Sequence, residues 1–296
     1  MIKLSFSGHE TFICKQFWLR KGYDYLKAGK SFNDDDAVVE LGVGKNMVSS
    51  IAFWLKSFGL LNDDSKKPNV LADKLFSEGG WDSYLEDIGT MWLLHYQLIK
   101  TGKASIFSLF FNDFRRERLE FKREHLFQFL KRKCEENKFP ISDSSLQNDI
   151  KVFLNTYIRP KMTEKLEVED GFMGLLLDLN LIKVSEIKNN QDKQEDWYYL
   201  TNESRDDLPI LLLLYTILDW IEGKSSSTTV SLKELMISFN SAGSIFALNR
   251  EGMYEKMIQL TQLPYNIVFK EDAGIQTLQF KEKLNKFDIL DAYYKS

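Results

Sequence analysis

Apolar residues recur along this chain mostly with a helical period, and with a period of two only in short runs. The clearest helical stretch is 34–61. Met47, Val48, Ile51, Trp54, Leu55 and Phe58 follow i, i+3/i+4 and i+7 spacing and predict a helix over about 45–58. Lys45, Asn46, Ser49, Ser50, Lys56 and Ser57 make its polar face. Ala37, Val38 and Leu41 mark a shorter helix before it, and Gly42-Val43-Gly44 supplies a turn that needs positive φ. Gly59 is the expected stop. Leu60, the polar run NDDSKKPN and Val70-Leu71 then read as the two strands and tip of a wing.

The same pattern recurs twice more. Upstream, Glu10 or Thr11 is expected to start a helix ending at Lys21-Gly22, with a further helix over Tyr23–Ala28. Tyr84–Ile99 is apolar enough to be buried as a helix, and Ile106–Phe114 follows it as the second arm of a hairpin. Phe121–Asn137 and Ser145–Tyr157 make a second helix pair, with Ser142 or Asp143 as the N-cap of the latter. A short helix over Leu175–Leu181 precedes strands at Ile182–Ile187 and Trp197–Leu200, joined by the polar loop KNNQDKQED. In the last third, the apolar helix Leu208–Glu222 leads through the connector GKSSSTT to a helix from Ser231 to Phe239. Asn249–Leu263 is the next helix, and strands 266–270 and 275–280 flank Ala273-Gly274, a hairpin signal.

These elements predict a mainly α protein with several winged-helix-like units, each a helix-turn-helix plus a β-hairpin wing. The expected segments are a winged-helix-like domain over 1–80, a helical hairpin bridge over 81–118, a second winged-helix-like unit over 119–205 and a third over 206–296.

Composition narrows this picture. The 296 residues are 44% hydrophobic and 14% aromatic, enough for filled cores, while 5 prolines favour helix over a sandwich or barrel. The net charge of −4 means that any contact with nucleic acid must come from a local patch. Between Asp113 and Lys138 stand nine basic and six acidic residues, either a solvated helix face laced with ion pairs or a strip facing phosphates. Cys14 and Cys134 form no CxxC, the stretch MIKLSFSGHE lacks the long apolar core and cleavage site of a signal peptide, and no apolar run is long enough to span a bilayer. A cytoplasmic protein without a membrane partner is expected.

Candidate chemistry is sparse. The three histidines are His9, His95 and His125. His9, Glu10, Glu86, Asp87 and His95 are the residues from which a metal or acid–base site would have to be assembled. No HExxH, glycine-rich phosphate loop or G-x-S-x-G accompanies them. Cys14 beside His9 is a candidate nucleophile with nothing in the sequence to lower its pKa. Structural roles compete: Glu10 or Thr11 as a helix cap, His9 bonded to the helix of Tyr84–Ile99, and Glu86 and Asp87 in that helix's first turn.

Four clusters together resemble a bacterial family known as domain of unknown function 4007: Phe6-Ser7-Gly8-His9-Glu10-Thr11-Phe12 with Trp18-Leu19 and Lys21-Gly22; Leu41–Val48 with Ile51 and Trp54; Tyr84-Leu85-Glu86-Asp87 with Gly89-Thr90; and Trp92-Leu93-Leu94-His95. The resemblance implies an accessory role in DNA phosphorothioation or phage defence, beside phosphoadenosine-phosphosulfate-reductase-like sulfur-transfer proteins. It also implies basic residues at the positions of Lys15 and Ala52, and Ala52 departs from that pattern. The leading expectation is a non-enzymatic subunit that binds or targets double-stranded DNA through Lys45, Asn46, Ser49, Ser50 and Lys56, with no cofactor and no resident metal. The alternatives are a scaffold for a sulfur-transfer or nuclease partner, and a metal-dependent enzyme using His9, Glu86 and Asp87.

Overall fold

A computed structural model of the chain describes residues 3–159, 174–188, 194–224 and 228–295. The middles of the KNNQDKQED loop and of the GKSSSTT connector lie outside these residues. The chain divides into two compact units, Met1–Thr201 and Asn202–Ser296. Both are mainly helical, each with one small antiparallel sheet. Among the described residues, no helix is long and apolar enough to cross a membrane.

The first unit begins with α1 (Trp18–Lys27), α2 (Ala37–Leu41) and α3 (Lys45–Ser57). The period of α3 does what its spacing predicts: Val48, Ile51, Trp54 and Leu55 are buried. Gly42 is left-handed at φ 59°, as the turn requires, whereas Gly44 is extended and serves as the N-cap. Gly59 ends α3 at φ 64°. The wing expected next does not form as two strands. Leu61 and Pro68 share a single bridge, and Val70 opens α4 (Val70–Phe76). The cause is local: the Asn69 side chain accepts a hydrogen bond from the Ala72 amide and caps the helix. The expected N-terminal helix is also displaced. Residues 8–11 form a turn, Lys15 bridges Gly174, Glu10 and Thr11 have φ of 49° and 70°, and α1 runs through Gly22 without a break.

The buried axis of this unit is α5 (Ile88–Thr101), in which every residue from Gly89 to Ile99 is buried. Asp87 is its N-cap, accepting from the Thr90 amide, and Glu86 lies outside the first turn. α6 (Ser105–Leu109) continues through a π-helical turn, Phe110–Phe114, into α7 (Arg115–Glu117). Phe107, Phe110, Phe111 and Phe114 line the core there with Phe121, Phe153 and Tyr157. Then come β1 (Glu120–Phe121), α8 (Arg123–Glu136), α9 (Asp143–Tyr157, capped by Ser142), β2 (Ile182–Lys188) and β3 (Gln194–Leu200). The sheet order is β1-β3-β2. The helix expected at Leu175–Leu181 is one 3-10 turn, Leu177–Leu179.

The second unit has a related order, with three helices between its first strand and its hairpin and one helix after it. α10 (Ile210–Glu222) is followed by β4 (Thr229–Ser231), α11 (Leu232–Ile237), α12 (Ala242–Ile245), α13 (Arg250–Leu260), β5 (Ile267–Asp272), β6 (Ile275–Phe280) and α14 (Lys286–Tyr294). Its sheet order, β4-β6-β5, is the counterpart of the first. Ala273 and Gly274, both at positive φ, make the tight turn between β5 and β6.

Candidate nucleic-acid interface

The polar face of α3 is the starting point. Lys45, Asn46, Ser49 and Lys56 are exposed, and among the described residues their side chains have no hydrogen-bond or ion-pair partner. Ser50 and Ser57, expected on the same face, are instead fully buried. At the 100° step of a helix, Ser50 sits a quarter-turn from Ser49, which carries it under the neighbouring chain. Its hydroxyl donates to the His9 carbonyl at 3.1 Å. Ser50 therefore anchors α3 rather than reading anything outside it.

The chain that covers Ser50 is the Ser7–Phe12 strap, which the sequence marked as a motif without a role. It joins two helices. Toward α3, Trp54 donates through its indole nitrogen to the Phe12 carbonyl at 3.2 Å, and the Phe53 ring lies edge-on to His9. Toward α9, Asp149 accepts from the Ser7 amide at 3.0 Å and the Ser7 hydroxyl at 3.1 Å. Asp149 also faces His9 Nε2 at 3.1 Å, with both side chains almost fully buried. The Thr11 amide donates to His9 Nδ1 at 3.2 Å, which puts the ring proton on Nε2. That N–H is not aligned for a hydrogen bond to the carboxylate, so the contact is one of charge and dipole. A buried carboxylate needs such partners, because desolvating it unpaired is costly.

His9 thus meets α9, not the helix of Tyr84–Ile99 as expected. His95 on that helix stands 3.0 Å from the Tyr157 hydroxyl in the core, and burial pushes the Tyr157 phenol well above its usual pKa. Glu86 is exposed, and its amide donates to the Asp82 carboxylate at 3.0 Å. Glu10 and Thr11 are exposed on the strap, in left-handed backbone rather than at a helix start. The five candidate ligands therefore serve different parts of the unit. Among the described residues, no group of three or more His, Cys, Asp or Glu side chains is placed to hold a metal ion. Cys14 is buried, and burial pushes its thiol well above the ordinary value, against a nucleophilic role.

Asp149 is the functional-looking residue that the pattern alone does not single out, and Ser7 is marked there only as part of the motif. The signal was present: Asp149 falls in the apolar stripe of Leu146, Ile150 and Phe153, where a carboxylate demands a partner. The charged run 113–138 is laced with ion pairs. Arg132 pairs with Glu117, Lys133 with Asp113 at 3.4 Å, and Lys131 with Asp143 at 3.1 Å.

A second surface feature adjoins α3. The turn of residues 62–67 closes with the Lys66 amide on the Asn62 carbonyl (3.0 Å) and the Asn62 amide on the Lys67 carbonyl (2.9 Å). Between this turn, α3 and the loop after α1 lies a groove of about 630 Å³. Phe32, Phe53, Lys56, Lys66 and Lys67 line it.

The family described as "Protein of unknown function (DUF4007)" matches residues 6–294. No curated protein matches the chain. Two solved structures are similar to it. One, described as "SspB crystal structure", is 26% identical and aligns with a TM-score of 0.82 over 98% of this chain and 88% of that one. The other, described as "Magnesium ion-bound SspB crystal structure", is 24% identical with a TM-score of 0.81 over the same shares.

Proposed function

The chain belongs to the DUF4007 family, and we propose that it is a DNA-binding or DNA-targeting accessory subunit of a bacterial DNA-modification system of the phosphorothioation type. The observation that carries the reading is the exposed, unpartnered set Lys45, Asn46, Ser49 and Lys56 on a helix whose opposite face is fully packed. The N-terminal end of such a helix is where side chains reach base edges in the major groove, and a lysine further along meets phosphate. Support for the fold side of the reading comes from the repeated order of helix, strand, two or three helices and hairpin, with matching sheet orders. We read both repeats as winged-helix units. The setting rests on the GHETF and LGVGKNMV resemblance, and the likeness to SspB fits it.

The test is duplex binding by fluorescence anisotropy as salt is raised. The affinity should fall steeply with salt, by a slope of about 0.9 for each phosphate neutralised. Absence of duplex binding at low salt, or an affinity indifferent to salt, rejects the proposal.

A protein-scaffold role is favoured by one observation in the second unit. Ile237 and Ile275 are 52% and 61% exposed, and line one groove with Lys233 and Arg250. Co-purification of a stoichiometric partner that Ile237→Asp and Ile275→Asp release would support this role. The magnesium named for one SspB structure belongs to that protein. For this chain, a metal-dependent reading through His9, Glu86 and Asp87 lacks a gathered donor set among the described residues.

A further inference from the structure

The groove beside α3 combines features that a duplex-binding surface does not need. Its volume, about 630 Å³, falls in the range of roughly 300–1,000 Å³ that small-ligand sites occupy. Phe32 and Phe53 line it, both half-buried, one from the loop after α1 and one from α3. Lys56, Lys66 and Lys67 line it too, and among the described residues none has an ion-pair partner.

The charge of the 62–67 turn looks balanced in sequence but is not balanced in space. Asp63 lines the groove but pairs with Lys103, and Lys103 first, with Lys56 as a lesser cause, holds its carboxyl below the usual carboxylate range. Asp64 does not line the groove. Lys30, at the groove's other wall, pairs with Glu40 at 2.7 Å. With Asp63 paired to Lys103 and Lys30 to Glu40, Lys56, Lys66 and Lys67 give the groove a positive balance beside its two aromatic rings. The turn that carries two of these lysines is held at both ends. Leu61 and Pro68 bridge it, and the Asn69 amide group donates to the Gly59 carbonyl at 2.7 Å. Lys66 itself is in left-handed backbone at φ 53°.

Ring faces beside cationic side chains suit a nucleotide whose base is not stacked on its neighbours. Bases within a duplex have no free face to offer, so the ligand class is single-stranded. We propose that this groove binds a nucleotide unit of single-stranded DNA, with phosphate on Lys66 and Lys67 and the base against Phe32 and Phe53. The proposal rests on the reading that the first unit contacts DNA, and it adds a strand that has left the duplex. Such a strand is what chemistry on a DNA backbone or base exposes.

The experiment uses the full chain and a short fluorescein-labelled oligothymidylate, with an abasic oligomer of equal length and a duplex as parallel probes. Binding to oligothymidylate is expected to weaken about tenfold in Phe32→Leu and in Lys66→Ala/Lys67→Ala. The lysine pair should also lower the salt slope by roughly 0.7 per lysine. Phe32→Leu should leave duplex binding unchanged, and Lys45→Ala/Asn46→Ala should weaken the duplex and spare oligothymidylate. Thermal melts of each variant exclude loss of fold. Oligothymidylate affinity equal to wild type in both groove variants overturns the proposal, as does an abasic oligomer that binds equally well. Failure of duplex binding alone would count against the α3 reading and leave the groove standing.

Discussion

His9 and Asp149 face each other at 3.1 Å inside the first unit, one from the motif strap and the other from α9. The same carboxylate takes the amide and hydroxyl of Ser7, while the His9 carbonyl takes the Ser50 hydroxyl from α3. The strap is thus a tie between two helices.

Asp149→Ala should therefore behave as a lesion in the core. It leaves the Ser7 amide and the His9 ring without their partner, at a cost of about 2–4 kcal/mol. Asp149→Asn keeps an acceptor for Ser7 and should lose less. Urea midpoints with an unchanged slope are the measurement. Equal stability of wild type and Asp149→Ala would remove the tie from the account.

Two adjacent serines separate anchoring from contact. Ser50→Ala should destabilise the fold by about 1–2 kcal/mol, since a buried carbonyl loses its donor. Duplex affinity of the folded variant should stay at the wild-type level. Ser49→Ala should change stability by less than about 0.5 kcal/mol and weaken duplex binding a few-fold. Parallel melts and anisotropy titrations resolve the two.

Much of this was legible in the sequence, and the parts that were not share a cause. The burial of Val48, Ile51, Trp54 and Leu55, and the β5–β6 hairpin at Ala273-Gly274, follow from local period and turn chemistry. The residues of the strap taken alone allow a helix start. The positive φ of Ser7, Glu10 and Thr11 is held in place by bonds such as Ser7–Asp149 and His9–Ser50, which no local window contains. The two aliphatic residues Val70-Leu71 suggest a strand, while the deciding residue, Asn69, stands just before them and caps a helix. The groove was hidden for a similar reason. Lys66 and Lys67 appear cancelled by Asp63 and Asp64 until Lys103, distant in sequence, takes Asp63.

The lysines of α3 predict a measurable electrostatic signature. Lys45→Ala and Lys56→Ala should each reduce the salt dependence of duplex binding by about 0.9, if each neutralises one phosphate. They should weaken binding across duplex sequences alike. Asn46→Ala should instead relax discrimination between sequences with little change in slope. Slopes unchanged in both lysine variants would place the contact elsewhere.

Acid should loosen α8 through His125. Its pKa is lowered, first by burial and then by Arg118 and Lys122. Nδ1 accepts from the Lys122 amide at 3.2 Å and lies 2.9 Å from Arg118, so protonating it breaks both contacts. The unfolded chain binds the proton more readily than the folded one. This contribution to stability is therefore complete above about pH 6.5, the ordinary histidine value, and is lost as pH falls toward the lower folded value. His125→Gln, whose carbonyl can accept the same amide at any pH, should flatten the melting temperature between neutral and mildly acidic pH.

Gly8 and Phe53 offer the sharpest test of how the strap is seated. A Cβ built on Gly8 would stand 2.4 Å from Phe53 Cδ2 and 2.5 Å from Cε2, closer than any real contact. Gly8 is not among the residues of positive φ, so space rather than backbone conformation requires the glycine. Gly8→Ala should then cost about 1–3 kcal/mol by forcing the ring or the strap aside. Phe53→Ala removes the obstacle at its own cost in packing. In the double variant the penalty for Gly8→Ala should shrink, a coupling of about 0.5–3 kcal/mol in a double-mutant cycle. Additive penalties would mean that the strap does not rest on Phe53. A ring displaced in Gly8→Ala would also intrude on the groove of Lys66 and Lys67. Oligothymidylate binding should then drop in the single variant even where the fold survives.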